Sequence, residues 1–237
     1  MCGRYGLTIE QEGIAAAFEV ERFLTDHHPR FNIAPSQDVP VLVEDQRGRR
    51  VLAFRWGLVP YFADHPKVGF RSINARSESV ATKPAFRAAW ERPRRCLVLA
   101  DGFYEWQRPD GGEGSSSAPT RRKIPHWIFL ADRRPFALAG LWEKWQRGSD
   151  SLFTCTILTT RANALVAPIH DRMPASLARP EDWRAWIDPR IPSDALEDRL
   201  SPHPAEDMAA YPVSTYVNDP VNEGAACIAE VGGGTLA

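Results

Sequence analysis

The most reactive side chain near the start of the chain is Cys2, second in MCGRYG. A small residue behind the initiator methionine permits removal of Met1, and Cys2 would then carry a free α-amine beside its thiol. The reference pKa of such an amine is ~7.7–8.0 against ~10.4 for lysine, so its nucleophilic fraction at neutral pH is roughly a hundredfold larger. An aldehyde condensing there gives an imine within reach of the sulfur, and closure to a five-membered thiazolidine gains from being intramolecular. Position alone leaves two readings open: an aldehyde trap or an incidental thiol.

Three further stretches set reactive groups among residues that restrict them. In RSINARSES, Asn74 offers an amide donor and acceptor, while Arg71 and Arg76 offer forked donors matched to phosphate oxygens. A solvated polar loop is the alternative. In ADGFYEWQR, Glu105 stands among Phe103, Tyr104 and Trp106. A carboxylate in apolar surroundings has a raised pKa and can shuttle protons, whereas on the wet face of an alternating strand it does neither. In PIHDRMP, His170 can give or take a proton near neutral pH or serve as a structural histidine. WGLVPYF adds Trp56, Tyr61 and Phe62, as stacking platforms for bases or, for most of them, as core.

With 237 residues, 43% hydrophobic and 25% charged, the chain has the composition of a soluble globular protein. No run approaches the ~20 apolar residues of a membrane span, and no signal-peptide blocks open the chain. The expectation is a cytoplasmic protein without membrane contact. Four cysteines stand singly, so no metal site or disulfide framework is expected, nor any cofactor. Cys96, Cys155 and Cys227 lie in apolar runs and read as core. Net charge is −1, yet residues 66–95 hold eight basic side chains against two acids, and from Glu181 onward eleven acids face three arginines. That separation fits a polyanion path on one face, or a solvated surface whose charges cluster.

These residues need a scaffold. Thr8 and Gln11 are spaced as a capping box for a helix from about Ile9 to Glu21, which leaves Cys2 just before the fold proper. VPVLVED and RVLAFRWG read as a hairpin around Gln46-Arg47-Gly48, and KPAFRAAWE as a short helix opened by Pro84. RCLVLADGFYEWQR reads as two strands around Asp101-Gly102, and PHWIFLAD, FALAGLWEKW and LFTCTILTT continue the series. ARPEDWRAWID and PSDALEDRL read as helices. The sum is an α+β chain, one domain over 2–230 with a mostly antiparallel, barrel-like β core and peripheral helices. A mobile Gly/Ser-rich insertion is expected at about 107–123 and a flexible tail at 231–237.

Taken together, MCGRY, WGLVP, INARSE, DGFYEW and IHDRMP resemble the signature blocks of the SRAP family, the SOS response-associated peptidase domain linked to abasic DNA sites. The blocks occur in order, and the resemblance runs from Cys2 to VSTYVNDP near Val213. It implies a protein acting in DNA repair, with Met1 lost and Cys2 forming a thiazolidine crosslink to the ring-opened sugar of an abasic site in single-stranded DNA. Lyase and autopeptidase activities are also implied. Asn74 would orient the site and Arg76 bind phosphate; Glu105 would shuttle protons, and His170 would act on the sugar oxygen. Arg4 matches a DNA-contacting position, and Trp56 and Pro60 would line the strand groove. A path along Arg4, Arg71, Arg76 and Arg95 implies salt-sensitive binding by a monomer. Class II glutamine amidotransferases also begin with MCG, but their HRG-type and NGE-type blocks are missing. A second alternative takes the family name literally, as an autopeptidase releasing Met1 with Cys2, Glu105 and His170 arranged for peptide cleavage, and a binding module with an inert Cys2 is the third.

Overall fold

The structure is a computed structural model that describes residues 2–92, 94–108 and 123–232. Runs of β-branched and aromatic residues, broken by turn residues, form its strands. In chain order these are β1 (Tyr5–Leu7), β2 (Arg22–Phe23), β3 (Arg30–Ile33), β4 (Asp38–Asp45), β5 (Gly48–Trp56), β6 (Asn74–Arg76) and β7 (Arg95–Ala100). There follow β8 (Gly102–Gln107), β9 (Ile124–Leu130), β10 (Phe136–Arg147), β11 (Asp150–Arg161), β12 (Arg172–Pro174), β13 (Ser176–Leu177) and β14 (Met208–Pro212). β11, β10, β7, β4 and β5 pair antiparallel in that order, and parallel pairing of β11 with β5 at Cys155↔Trp56 closes them into a barrel. Closure removes the sheet edges that would otherwise need cover. A second, antiparallel sheet has the order β14-β9-β8-β1-β3. The α+β fold with a mostly antiparallel, barrel-like core is therefore as the strand pattern indicates.

The helices depart from their sequence signals where tertiary contacts compete. Helix α1 is Gln11–Phe18, shorter than expected, and its N-cap residue Glu10 makes no side-chain capping bond. Thr8 is diverted: its N–H and hydroxyl both donate to the buried carboxylate of Asp101, at 2.7 and 2.6 Å. Helix α2 (Pro84–Glu91) starts at its proline as read, and α3 is Pro180–Ile187. Ser193–Leu200 forms a 3-10 segment rather than an α-helix. Most of the expected insertion, residues 109–122, lies outside the described residues, as do 233–237 of the expected tail. Cys2 does not precede the fold. It is fully buried, as are Cys96, Cys155 and Cys227.

What buries Cys2 is the seat of β1. The chain leaves the barrel through β7, pivots at Asp101, and enters the second sheet as β8, whose Gly102 pairs opposite Gly6 of β1. Asp101 N–H donates to the Gly6 carbonyl at 3.1 Å. The indole of Trp127 on β9 lies across both glycines. A Cβ on Gly102 would stand 2.1 Å from the ring and one on Gly6 2.8 Å. Close approach, rather than backbone conformation, requires glycine at both positions. Gly102→Ala should overpack this contact, costing about 1–3 kcal/mol and lowering Tm by roughly 2–12 °C. A thermal melt superimposable on wild type would contradict this account of the seat.

Candidate functional site

Beyond Tyr5, the β1–β8 pairing continues: Tyr104 N–H donates to the Arg4 carbonyl at 2.9 Å, so the strand delivers Cys2 to the end of β8 that carries Glu105. Cys2 Sγ lies 3.6 Å from the Arg4 carbonyl oxygen. The Cys2 carbonyl accepts a 2.7 Å hydrogen bond from Asn74 Nδ2. Asn74 reaches it because β6 lies parallel on β11, with Asn74 opposite Ile157. Along β8 the side chains alternate. Tyr104 and Trp106 pack in the cluster formed with Trp127 and Val217, while Phe103 joins the main core. Glu105, on the Phe103 face, is 2% exposed.

His170 arrives from the loop after β11. Its Nε2 stands 4.0 Å from Glu105 Oε2. Its Nδ1 accepts from Arg172 N–H at 3.0 Å and lies 2.9 Å from Asp171 Oδ1. Nδ1 thus meets both a donor, the Arg172 N–H, and an acceptor, the Asp171 carboxylate, while Nε2 faces Glu105. The loop is pinned by His170 N–H to the Val166 carbonyl, 2.9 Å, and by Gln107 Nε2 to the Pro168 carbonyl, 3.4 Å.

Burial sets the protonation states. It pushes Glu105 up to about 7. It also raises the Cys2 thiol well above the usual thiol range, with the charge of Glu105 adding to the effect, and it lowers His170. At neutral pH the site thus combines a protonated thiol, a carboxyl group near half ionisation and a neutral imidazole. That set suits proton transfer to and from a neutral substrate. Among the described residues no group of three or more His, Cys, Asp or Glu side chains could hold a metal ion.

The structure separates the residues read as strand contacts. Arg71 and Arg76 are exposed on the segment that carries Asn74. Arg95 is not on any surface path: it is 3% exposed and donates to the carbonyls of Trp186, Asp188 and Ile191 and to Ser193 Oγ. It caps the C-terminal end of α3. Trp56 is fully buried, set edge-on to Tyr5 at 5.3 Å, with its indole N–H donating to the Ile73 carbonyl at 2.8 Å. Pro60 is buried as well. Neither presents a face to a base; Trp56 instead braces the residue beside Asn74. Arg4 is half-buried, its Nη1 donating to Asn32 Oδ1 at 2.7 Å and the Val217 carbonyl at 2.8 Å, which clasps the C-terminal segment to β1.

Sequence reasoning missed Phe70, 64% exposed beside Arg71. Its signal was glycine spacing. Gly57, at φ +130°, and Gly69 meet backbone to backbone, where a Cβ on Gly69 would stand 2.5 Å from the Gly57 oxygen, so the loop between them closes and presents Phe70 at its exit. Also missed was Lys123, exposed at the start of β9, whose charge acts on both Glu105 and His170. A cavity of about 590 Å³ lined by Trp106, Lys123, Thr215 and Asn218 opens on the Trp106 face of β8, opposite Glu105. No helix among the described residues is long and apolar enough to cross a membrane.

Comparison with known proteins places this geometry in context. The chain is 41% identical over 226 residues to the abasic site processing protein YoqW of Bacillus subtilis, covering 94% of this chain and 96% of that protein. It is 32% identical over 230 residues to the abasic site processing protein HMCES of Xenopus tropicalis, covering 86% of this chain and 67% of that protein. A solved structure from Bacteroides thetaiotaomicron, 22% identical, superimposes with a TM-score of 0.81 over 97% of this chain and all of its own, sharing the fold. Residues 1–220 match the family described as SOS response associated peptidase (SRAP), and with identity at this level over nearly the whole chain, the protein belongs to that family.

Proposed function

We propose that the protein processes abasic sites in single-stranded DNA by forming a covalent thiazolidine between Cys2 and the ring-opened sugar. The observation that carries this reading is a chain of neighbours from separate elements that links Cys2 with Asn74 and Glu105, and Glu105 with His170. Asn74 holds the Cys2 carbonyl at 2.7 Å, Glu105 lies close enough for its charge to raise the thiol, and His170 stands 4.0 Å from Glu105. The names of the relatives, abasic site processing proteins, supply the substrate class.

The chemistry follows from the protonation states. After loss of Met1, the Cys2 amine is the first nucleophile, because burial keeps the thiol protonated. The cyclic sugar opens when one group takes the proton of its hydroxyl and another gives one to the ring oxygen, which Glu105 and His170 can do as a pair. The amine adds to the aldehyde carbon and water leaves, giving the imine. The S–H then adds across the C=N bond, sulfur bonding to carbon and the proton ending on nitrogen. Asn74 Oδ1, buried without a hydrogen-bond partner among the described residues, is an acceptor for a sugar hydroxyl or the new amine N–H. Outside, Arg71 and Arg76 fit backbone phosphates and Phe70 fits a base face.

Wild-type protein free of Met1 should give a band with abasic single-stranded DNA that survives denaturing electrophoresis, and Cys2→Ala should abolish it. Arg76→Ala should weaken noncovalent binding and reduce the slope of log K against log salt by about 0.7, one phosphate contact on a single strand. An unchanged slope removes Arg76 from the strand path. Glu105 yields a stability test of its burial. A carboxyl raised from 4.5 to about 7 contributes stability that is fully present below pH 4.5 and lost as pH rises to about 7. Relative to Glu105→Gln, wild type should therefore lose about 3 kcal/mol between those limits, read from denaturation at stepped pH. Parallel curves would refute the raised pKa.

A further inference from the structure

We propose that Glu78 and Arg172 form a positioning pair that fixes His170 relative to Asn74, and this rests on the reaction proposed above. The two residues belong to different motifs, INARSE and IHDRMP, separated by 94 positions. Their side chains meet in a two-point contact: Arg172 Nη1 donates to Glu78 Oε1 at 2.6 Å and Nη2 to Oε2 at 2.9 Å. This is the fork geometry that lysine cannot reproduce.

The pair spans the one strand on which both halves of the site hang. β6, carrying Asn74 and Arg76, lies along one side of β11, with Arg76 opposite Thr159. β12, which begins at Arg172, lies along the other, with Pro174 opposite the same Thr159. Arg172 Nη2 also donates to the Thr159 carbonyl at 2.6 Å, so the guanidinium reaches over β11 to the 3-10 turn Ser77–Ser79 that holds Glu78. Arg172 acts on His170 directly as well, through the backbone N–H that His170 Nδ1 accepts at 3.0 Å. The same residue thus touches the imidazole at Nδ1 and fixes the loop's exit to the Asn74 segment. The arginine side chain is 12% exposed and the glutamate 54%, so the fork is held from the protein side while the carboxylate remains on the surface. Each β-pairing at this end is three residues long. The fork adds a direct side-chain link between the two short strands' segments beside their shared pairing on β11. A shift of about 1 Å at His170 is enough to cost on the order of a hundredfold in a proton-transfer step.

The test compares the rate of crosslinking at saturating single-stranded DNA bearing one abasic site with the affinity for the same strand bearing a non-reactive tetrahydrofuran analogue. Glu78→Ala, a surface change whose fold is checked by its melt, should slow the saturated rate by roughly ten- to a hundredfold and leave the affinity within about twofold. Glu78→Gln, which keeps one acceptor for the fork, should fall between, and Arg172→Lys should resemble Glu78→Ala. In a His170→Gln background, Glu78→Ala should slow the residual rate no further, because its effect runs through His170. A wild-type rate in Glu78→Ala, or a full additional loss in the His170→Gln background, overturns the pair's role while crosslinking by wild type stands. Absence of any crosslink with wild type overturns the reaction itself, and the pair's role with it.

Discussion

The seat of Trp127 across Gly6 and Gly102 is the contact on which the site depends. The two glycines admit the indole over the β1–β8 pair, whose register at Tyr5↔Phe103 carries Cys2 toward the end of β8 that holds Glu105. A strand of three residues has little intrinsic stability. β1 is held instead by neighbours on both sides, β3 and β8, by Thr8 on Asp101, and by Arg4 on the C-terminal segment. The segment that carries Cys2 is therefore built into the second sheet rather than left to fray, as termini without such ties do.

Burial does the second part of the work. Taking Glu105 out of water raises its pKa into the physiological range, and the same exclusion of water keeps the Cys2 thiol protonated and His170 neutral. One cause produces all three states, so any change that admits solvent alters them together. Arg71 and Arg76 are exposed on the segment that carries Asn74, and the exposed Lys123 acts by its charge on Glu105 and His170.

Several of the motif blocks of the sequence are in contact with one another. Trp56 of WGLVP braces Ile73 beside Asn74, Glu78 of INARSE grips Arg172 of IHDRMP, and Asn74 reaches back to Cys2 of MCGRY. The barrel strand β11 is the common support, carrying β5, β6 and β12 on its length. Trp56 and Arg95 read from sequence as partners of nucleic acid because their side-chain chemistry permits it; the interior claimed both, one through an aromatic pair and a carbonyl, the other through four acceptors at the end of α3.

By itself the sequence determined strands β4, β5 and β7 to β11, though not the short β1 and β6 that carry the site, together with the turns at Gly48 and Gly102, the start of α2 at Pro84, and the residues Cys2, Asn74, Glu105 and His170 as the chemically capable set. Alternation and turn composition are local, and so are legible one stretch at a time. Only the tertiary structure decided that these four residues meet, that Thr8 serves Asp101 rather than a helix cap, and that Phe70 is exposed while Trp56 is not. Each of those outcomes depends on which distant surface arrives first at a given group, and a single strand or loop carries no record of its partner. The alternation of β8 shows the limit most clearly. It separates Glu105 from Tyr104 and Trp106, but what covers each of the two faces was fixed by the barrel and by the C-terminal segment, more than a hundred residues away.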